Sequence, residues 1–542
     1  MKNMKFTLAV MAVVLLWVVG CSKDDGPEMA PAAFSVDKNT IDFGEVEIGS
    51  IKKVKIKITN TGEDDLVLKD YLLSSADTSG FSVNFSESEV ILPADGTYEM
   101  DVNFSPTEEG ENTSVLTIVS NIGEHRINLS GRGDLGANAI VHIPDDNFKA
   151  GLLAHGDSLV ASDISKIDTN GDGEIQVGEA EAYTGRIACV GMGITDLTGI
   201  EAFLNIKVLT LVDNQLTSLD VSKNIALEKL VCDSNELTGL DVSKNTALIE
   251  LWVQSNKLSA LDISKNVALK RLYCDNNQLT NLDVSNNTAL EQIWAQNNAL
   301  TNLDVSKNVA LEKLYLSNNN LTSLDISFNT ALNTLAVQNN QLTTLDVANN
   351  TGLYDLAVHN NQLMDLDVSK NTELKHLTVT NNEISNLNTS MNILLEDLSC
   401  DGNNLTTLDL SQNKNLWELR CNYNQITSLD ISNNAKLQLL ACVGNQLTSL
   451  NVSQNVALRT FACGANRLTS LRLVDNTELR SLRCEQNQLT SLNLANGNNS
   501  LLTNVSATEN NLDCIQIDEG FTPPNDSSWL KDDTASYSSL CP

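Results

Sequence analysis

A strict 21-residue period covers more than half of the chain and constrains its fold more than any other feature. An asparagine recurs every 21 residues from Asn235 to Asn487, and a second asparagine series runs from Asn224 to Asn476 with the same period. A coil of this length cannot bury its apolar residues alone, so successive coils must stack and share one core. The period therefore predicts a solenoid.

Each repeat carries the pattern L-x-x-L-x-C/V-x-x-N twice, for example at Leu216–Asn224 and Leu227–Asn235. This pattern resembles the bacterial leucine-rich repeats of nested period, and the longer first unit around Ile194–Phe203 resembles the internalin type. The resemblance implies a parallel sheet on one side of each coil and an extended or strand-like segment on the other. About 15 coils at ~4.8 Å per strand make a rod on the order of 70 Å long.

One inward position of the repeat is filled by cysteine, valine, alanine or leucine, which predicts a small buried apolar side chain. The cysteines of this column are Cys232, Cys274, Cys400, Cys421, Cys442, Cys463 and Cys484. Stacked Cβ atoms ~4.8 Å apart exceed the ~3.8 Å that a disulfide prefers, so we expect free thiols rather than bridges between neighbours. We expect the two asparagine columns to be buried, with amides that donate and accept hydrogen bonds.

An outward position of the repeat carries an aromatic ring in four consecutive coils, although only 4% of the residues are aromatic. With two flanking polar residues, the candidate ligand-binding set is Trp252, Tyr273, Trp294, Tyr315, Arg271 and Gln296. Rings beside polar side chains can form a protein hot spot or stack on sugar rings. The alternative is a cross-strand ladder that only stabilises the sheet.

An aspartate column marks the other half-turn of the repeat. Its members are Asp220, Asp241, Asp262, Asp283, Asp304, Asp325, Asp346 and Asp367. Stacked carboxylates repel one another unless something compensates them. We expect turn N–H groups and nearby lysines to do so, and a cation-binding groove is the alternative.

Residues 134–186 are expected to form a short helix followed by a calcium loop that resembles the 12-residue loop of EF-hands. The predicted ligands are Asp168, Asn170, Asp172, Glu174, Gln176 and Glu179. Ca²⁺ prefers hard oxygen ligands, and this spacing wraps them around one point, with Glu174 offering its backbone carbonyl. We expect one structural Ca²⁺ that stiffens the start of the solenoid. The alternative is an acidic turn without a metal.

Residues 34–133 alternate apolar and polar side chains, as at Val54–Ile58, between turn clusters such as Asn60–Gly62. This pattern predicts an immunoglobulin-like β-sandwich. Phrases such as Ile41–Gly44 and Phe104–Pro106 resemble the Cys-free modules of the ASPM/SPD-2/hydin type. The resemblance implies a spacer, and a second binding module is the alternative.

Residues 1–20 have the basic start and short apolar run of a signal peptide. The run ends at Val18–Cys21, which resembles the lipobox of bacterial lipoproteins. The resemblance implies cleavage before Cys21, lipidation of its thiol and a tether over residues 21–33, and the alternative is an ordinary secretory signal. The acidic pair Asp24–Asp25 is similar to a surface-export signal, so we expect an outer-membrane lipoprotein that faces outward, with a periplasmic orientation as the alternative.

Residues 513–542 follow the last coil and form the expected C-terminal cap. Cys514 and Cys541 lie outside the lipobox and the repeat columns. In a secreted protein we expect these two cysteines to pair and close a loop over the end of the solenoid, at residues 187–512.

The composition narrows the classes of function. A net charge of -34 argues against nucleic acid, which is bound through clustered Lys and Arg. The sequence contains no zinc-binding histidine pair, phosphate loop or nucleophile elbow, so we do not expect an enzyme. The sequence therefore predicts a mainly β surface-binding or adhesion lipoprotein whose repeat sheet takes a protein partner. A glycan-capture lipoprotein and a passive scaffold are the alternatives.

Overall fold

The computed structural model describes residues 31–74, 80–85, 88–156 and 165–541. The chain divides into two compact units, Met1–Ala139 and Ile140–Pro542, and both are mainly β, as the sequence predicts. The predicted signal peptide and Cys21 lie outside the described residues. Within the described ranges, no helix has both the length and the apolar character needed to cross a membrane.

The first unit is a β-sandwich of two sheets. Its strands are β1 (Phe34–Val36), β2 (Thr40–Glu47), β3 (Lys52–Asn60), β4 (Leu66–Leu73), β5 (Phe81–Asn84), β6 (Val90–Leu92), β7 (Thr97–Phe104), β8 (Gly110–Ser120) and β9 (Gly123–Asp134). One sheet has the order β1-β3-β7-β5 and the other β2-β9-β8-β4-β6. The strands are antiparallel except for the parallel pair β2 and β9.

Alternation of apolar and polar residues places one face of each sheet in a shared core. Phe43, Phe81 and Phe104 meet in this core, where the rings of Phe81 and Phe104 stack with centroids 4.6 Å apart. The alternation that predicted a sandwich is therefore confirmed by its packing.

Two short helices precede the solenoid. The first, Asp146–Leu153, begins at Asp145, whose side chain accepts a hydrogen bond from the N–H of Phe148. Phe148 and Leu152 are fully buried as predicted, and Leu153 is only half-buried. The second helix, Val177–Ala182, follows the predicted calcium loop.

The solenoid is built on one long parallel sheet of 17 strands within the described residues. These strands are Arg186–Ala188, Val208–Thr210, Lys229–Val231, Glu250–Trp252, Arg271–Tyr273, Gln292–Trp294, Lys313–Tyr315, Thr334–Ala336, Asp355–Ala357, His376–Thr378, Asp397–Ser399, Glu418–Arg420, Leu439–Ala441, Thr460–Ala462, Ser481–Arg483, Asn504–Ser506 and Trp529–Leu530. Residues one repeat apart lie side by side, as Leu251 does with Leu272. The 21-residue period therefore becomes a set of columns that run along the solenoid.

The opposite half-turn was predicted to be extended or strand-like, and both forms occur along the solenoid. In most coils it is extended without forming a strand, and isolated bridges join Asp220 to Asp241 and Asp241 to Asp262. Strands form there only near the C-terminal end, at Ser470–Arg472, Ser491–Asn493, Cys514–Gln516 and Ser536–Ser538. Short 3₁₀ helices lie at Ile200–Ala202 and Asn499–Leu501.

The two asparagine columns are buried, but only one uses the whole amide throughout. Asn319 donates to the carbonyls of Ala295 and Leu316, both at 3.0 Å, and its Oδ1 accepts from the N–H of Leu300. Asn308, in the other column, donates to two carbonyls, yet no described group hydrogen-bonds to its Oδ1. The predicted donor role holds in both columns, whereas the acceptor role holds in the column of Asn319 and, in the other column, at Asn413, whose Oδ1 accepts from the Thr389 hydroxyl at 2.9 Å.

The cysteine column is confirmed as a line of buried free thiols. It begins two coils earlier than predicted, with Cys189, whose N–H donates to the carbonyl of Thr210 in the next strand. Burial raises the pKa of Cys189 and Cys442 to about 12. Thiols with such a high pKa stay protonated at neutral pH and behave as small apolar side chains.

Candidate functional site

The predicted calcium loop folds around the side chain of Asp168. Its two carboxylate oxygens accept hydrogen bonds from the N–H groups of Gly171, at 2.6 Å, and Gly173, at 3.1 Å. Both glycines have a positive φ, of 80° and 83°, which a side chain would strain. The glycines thus make the tight turn that surrounds the first predicted ligand.

The other predicted ligands gather at the same loop. Gln176 Nε2 lies 2.8 Å from Asp172 Oδ2, and Asn170 Nδ2 lies 3.1 Å from both Asp172 Oδ2 and Gln176 Oε1. The Glu179 carboxylate accepts from the N–H groups of Thr169 and Gln176. In the described part of the chain, no three His, Cys, Asp or Glu side chains converge on a metal position by themselves. A calcium shell here would therefore also need the oxygens of Asn170 and Gln176 and the backbone carbonyl of Glu174.

Short contacts join this loop to the start of the solenoid unit. Ile175 is fully buried, and its carbonyl accepts from the N–H of Val141 at 2.8 Å. Asp145, next to the first helix, accepts from the N–H groups of Thr195 and Asp196 in the first coil. Order in the loop is thus coupled to the residues that cover the first coil.

The four predicted rings form a continuous strip on the outer face of the long sheet, which we call the aromatic strip (Trp252, Tyr273, Trp294 and Tyr315). Neighbouring ring centroids are 4.4, 5.6 and 4.1 Å apart, in order along the strip. All four side chains are half-buried. The in-register pairing of the strands stacks the rings, as the 21-residue period predicts.

One flank of the strip carries a paired set of charges. Glu250 forms salt bridges with Lys229, at 2.7 Å, and with Arg271. Burial alone would raise the pKa of Glu250, but these two cations outweigh it and lower the pKa. Lys229 Nζ also lies 4.5 Å from the centroid of the Trp252 ring. Arg271, which was predicted to be a ligand-binding residue, is therefore already paired with Glu250 within the protein.

The other flank, which we call the acceptor flank, consists of Asp233, Gln254, Asp275 and Gln296. Burial raises the pKa of Asp233 and of Asp275, since it disfavours the charged carboxylate. Asp275 is only 9% exposed, whereas the other three members of this flank are half-buried. Sequence reasoning named Gln296 in the site set and missed Asp233. The 21-residue period could have identified Asp233, because this residue lies one repeat before Gln254.

The aspartate column on the opposite half-turn has a different environment. Oδ1 of Asp220 accepts from the N–H of Ser222, and Asp262 accepts from Ser264 in the same way, both at 2.9 Å. These backbone N–H groups and the serine hydroxyls lower the pKa of both carboxylates. The expectation that turn N–H groups satisfy this column is confirmed. Within the described residues, no lysine forms a salt bridge with either carboxylate, but the nearby charges of Lys223 and Lys265 also lower the pKa of Asp220 and Asp262.

The C-terminal cap contains the predicted pair of cysteines. Cys514 and Cys541 are joined by a disulfide, with Cα atoms 5.7 Å apart. Trp529, in the last strand of the long sheet, is buried, and its indole N–H donates to the carbonyl of Leu502. The last regular coil is thus covered by residues that no longer follow the repeat.

Comparison with solved structures places this repeat architecture in a family. The functional domain of InlJ from Listeria monocytogenes, described as including a cysteine ladder, is 33% identical to this chain. The match covers 67% of this chain and 79% of that one, with a TM-score of 0.61. The chain belongs to the internalin-like leucine-rich-repeat proteins. The cysteine ladder described for InlJ has a counterpart here in the column of free thiols.

More distant comparisons concern the fold and the first unit. The plant peptide hormone receptor RGFR1, in complex with RGF2, is 20% identical over 63% of this internalin-like chain and 69% of its own, with a TM-score of 0.50. This likeness shows the fold alone. The ASH family model (Abnormal spindle-like microcephaly-associated, ASPM-SPD-2-Hydin) matches residues 27–127, in agreement with the predicted module. A search of curated proteins gave no significant match.

Proposed function

We propose that this internalin-like protein is a non-enzymatic, surface-anchored binding protein whose aromatic strip takes a protein partner. The observation that carries the proposal is the strip itself: four half-buried rings in contact on an open sheet face. Contiguous exposed aromatic surface is uncommon on soluble proteins and marks interaction sites, because rings supply large apolar area with a polar edge. Adhesion to a surface partner is the role that this arrangement supports.

Unused hydrogen-bonding groups favour a binding site over a ladder that only stabilises the sheet. Among the described residues, no acceptor pairs with the indole N–H of Trp252 or Trp294. In contrast, the indole N–H of Trp529 in the cap is satisfied. A purely structural ring gains stability when its polar edge is paired. In the free protein both indole nitrogens are covered atoms, so a ligand can pair with them only after the rings turn outward.

Binding of the purified full chain to an array of surface proteins and glycans tests the proposal. The test variant changes Trp252, Tyr273, Trp294 and Tyr315 to Ala. The control variant changes three exposed aromatic residues elsewhere, Tyr354, Trp417 and Tyr423, to Ala.

We expect binding to a protein spot that the strip variant loses and the control variant keeps. Binding of both variants would move the site to another face and overturn the proposal. Binding only to glycan spots would replace the protein partner with the glycan-capture alternative. No binding by the unmodified chain would support the passive scaffold instead.

We also propose that the loop at Asp168–Glu179 holds one structural Ca²⁺. The donor set fits, because carboxylate, amide and carbonyl oxygens are gathered in one loop whose turns are made by two glycines. Asp168, Asp172 and Glu179 would supply charge, and Asn170, Gln176 and the Glu174 carbonyl would complete the shell. The ion would supply no chemistry beyond holding the loop, and through Ile175 it would stiffen the start of the solenoid.

Membrane anchoring through Cys21 is proposed from sequence alone, because Cys21 lies outside the described residues. Lipidation would hold the chain on the outer membrane, facing outward. Growth with a clickable fatty acid tests this directly: the unmodified chain should take up the label and Cys21→Ala should not. Equal labelling of both would remove the anchor from the proposal, and protease accessibility on intact cells would decide the orientation.

A further inference from the structure

We propose that the aromatic strip receives a basic segment of its protein partner, with lysine or arginine side chains seated over the rings on the acceptor flank. The inference rests on the proposed function, because it names the class of partner for the same surface. It specifies where the cationic groups sit, next to Asp233 and Asp275, and which side of the strip they avoid.

The acceptor flank has more hydrogen-bond acceptors than the protein satisfies. Among the described residues, no donor reaches Asp233 Oδ1, Gln254 Oε1 or Gln296 Oε1, all of which are buried atoms. Asp275 is nine-tenths buried, and its carboxylate accepts from Asn276 Nδ2 at 2.7 Å. Buried acceptors without donors are unfavourable, so a ligand rich in donors is stabilised there. Ammonium and guanidinium groups carry only donors, three and five N–H groups respectively.

The acceptor oxygens are close to the surface although the atoms themselves are covered. The side chains of Asp233, Gln254 and Gln296 are half-buried. The terminal torsions of amides and carboxylates have broad energy profiles, so a rotation brings each oxygen outward at little cost. These oxygens can therefore accept hydrogen bonds from an incoming cation without a change in the backbone.

Charge points to the same class of ligand. Burial raises the pKa of Asp233 and Asp275, and within the described residues no lysine or arginine forms a salt bridge with either. Their carboxylates have already lost part of their hydration in the free protein, so a cation brought close gains more than it would at a fully solvated carboxylate. The chain as a whole has a net charge of -34, which speeds the approach of a basic partner.

The rings can take part in holding the cation. Lys229 Nζ lies 4.5 Å from the centroid of Trp252, so a ring of the strip already accepts a cation over its face. Lys229 and Arg271 are held on the other flank by Glu250, and Lys313 lies farther along that side. These positive charges repel a second cation from their own flank and direct it toward Asp233 and Asp275.

The spacing of the two aspartates specifies the ligand further. Asp233 and Asp275 belong to coils two repeats apart, with Gln254 between them, so their backbones are ~10 Å apart at ~4.8 Å per strand. A polyproline II segment rises ~3.1 Å per residue with three residues per turn, so its residues i and i+3 lie on one face ~9 Å apart. A segment that runs along the solenoid therefore reaches both carboxylates with basic residues at positions i and i+3.

An array of random ten-residue peptides, probed with the full chain in detergent, tests the inference. The test variant carries Asp233→Asn and Asp275→Asn. The matched control carries Asp262→Asn and Asp304→Asn, which change two aspartates of the opposite half-turn with the same spacing. We expect the unmodified chain and the control to select peptides with Lys or Arg at i and i+3. The test variant should bind these peptides roughly tenfold more weakly, and salt raised from about 0.05 to about 0.5 M should weaken the original binding.

Three results would reject the inference. Selection of acidic or apolar peptides, lost when the four rings are changed to Ala, would leave the proposed function standing and remove the basic partner. Equal selection of basic peptides by the test variant and the control would show that the acidic surface at large, not the acceptor flank, attracts them. An array on which the unmodified chain selects nothing would also reject it.

Discussion

Two sets of aspartates repeat along the same solenoid, and their environments are opposite. On the half-turn that carries Asp262, serine N–H groups lower the pKa of the carboxylates. On the sheet face, burial raises the pKa of Asp233, Asp275, Asp355 and Asp401, and it outweighs the hydrogen bonds that Asp275 and Asp401 accept from Asn276 and Asn422. The first set completes a turn within its own coil, so it is structural. The second set includes Asp233, whose Oδ1 accepts no hydrogen bond within the described residues, and this supports our proposal that the binding surface lies on the sheet.

The cause of the difference is local. An aspartate two residues before a turn serine reaches that residue's free N–H, as in an Asx turn. Asp233 and Asp275 follow the ends of their strands, and the next N–H groups, of Ser234 and Asn276, donate instead to carbonyls of the following coil. The two aspartate columns therefore have different hydrogen-bonding environments, although both follow the same 21-residue period.

The largest expected loss of stability comes from removing a buried side chain whose hydrogen-bonding groups are all paired within the protein. Asn319→Ala removes two donated bonds and leaves the N–H of Leu300 unpaired, so we expect the free energy of unfolding to fall by ~1–3 kcal/mol. Urea unfolding measures this difference. Asn308→Ala removes donors only and should cost less. An equal or greater loss of stability for Asn308→Ala would contradict the idea that an asparagine whose amide is fully hydrogen-bonded contributes more to the free energy of unfolding.

Calcium removal is the next largest effect. Sites of this kind outside the cell bind with Kd on the order of 10⁻⁴–10⁻³ M, so ~10 mM Ca²⁺ should stabilise the loop and its unit by ~1–3 kcal/mol. Thermal melting in Ca²⁺ and in chelator measures the shift, and Glu179→Gln should abolish it. Identical melting temperatures in Ca²⁺ and in chelator would show that the loop, like the aspartates of the opposite half-turn, is stable without an external ligand.

Exchange of single aspartates should give small effects of opposite sign. Asp275→Asn removes a carboxylate that burial disfavours, so we expect a slight rise in stability, on the order of 0.5 kcal/mol. Asp262→Asn weakens the acceptor of the Ser264 N–H and should slightly lower the melting midpoint. Differential scanning calorimetry of both variants compares the signs. Effects of the same sign would contradict the contrast between the columns.

The pH dependence should be the smallest and most diagnostic effect. The folded-state pKa of Asp275 is raised, so its unfavourable contribution is present above that pKa and disappears as pH falls toward 3.8 and below. The folded-state pKa of Asp262 is lowered, so its favourable contribution is present above 3.8 and is lost as pH falls through the folded value. The gain from Asp275→Asn at pH 7 should therefore vanish near pH 3. A gain that persists at pH 3 would show that its cause is not the buried charge.

The sequence was sufficient for the parts of the fold that repetition controls. The coils, the parallel sheet, the buried thiols and the contiguity of the four rings all follow from a period that places like residues in one column. The unit at residues 34–133 was predictable for a similar reason, because alternation along Val54–Ile58 and its neighbours is typical of half-buried strands.

The remainder depends on contacts that no period encodes. The half-turn at Asp220 was predicted to be extended or strand-like, and no feature of the period indicates which coils form bridges or strands there. Asp275 is only 9% exposed, although it belongs to the same column as the half-buried Gln254 and Gln296. Such burial depends on the volume of neighbouring side chains and becomes evident only once the columns are assembled.

Hydroxyl-radical footprinting of the full chain, with and without a partner selected on the arrays, tests most directly whether the aromatic strip is the binding surface. Trp417 is 38% exposed and lies outside the strip, so it serves as an internal reference. We expect the partner to slow oxidation of Trp252 and Trp294 several-fold and to leave Trp417 unchanged. Unchanged oxidation of both strip tryptophans in the saturated complex, with protection elsewhere, would contradict the account.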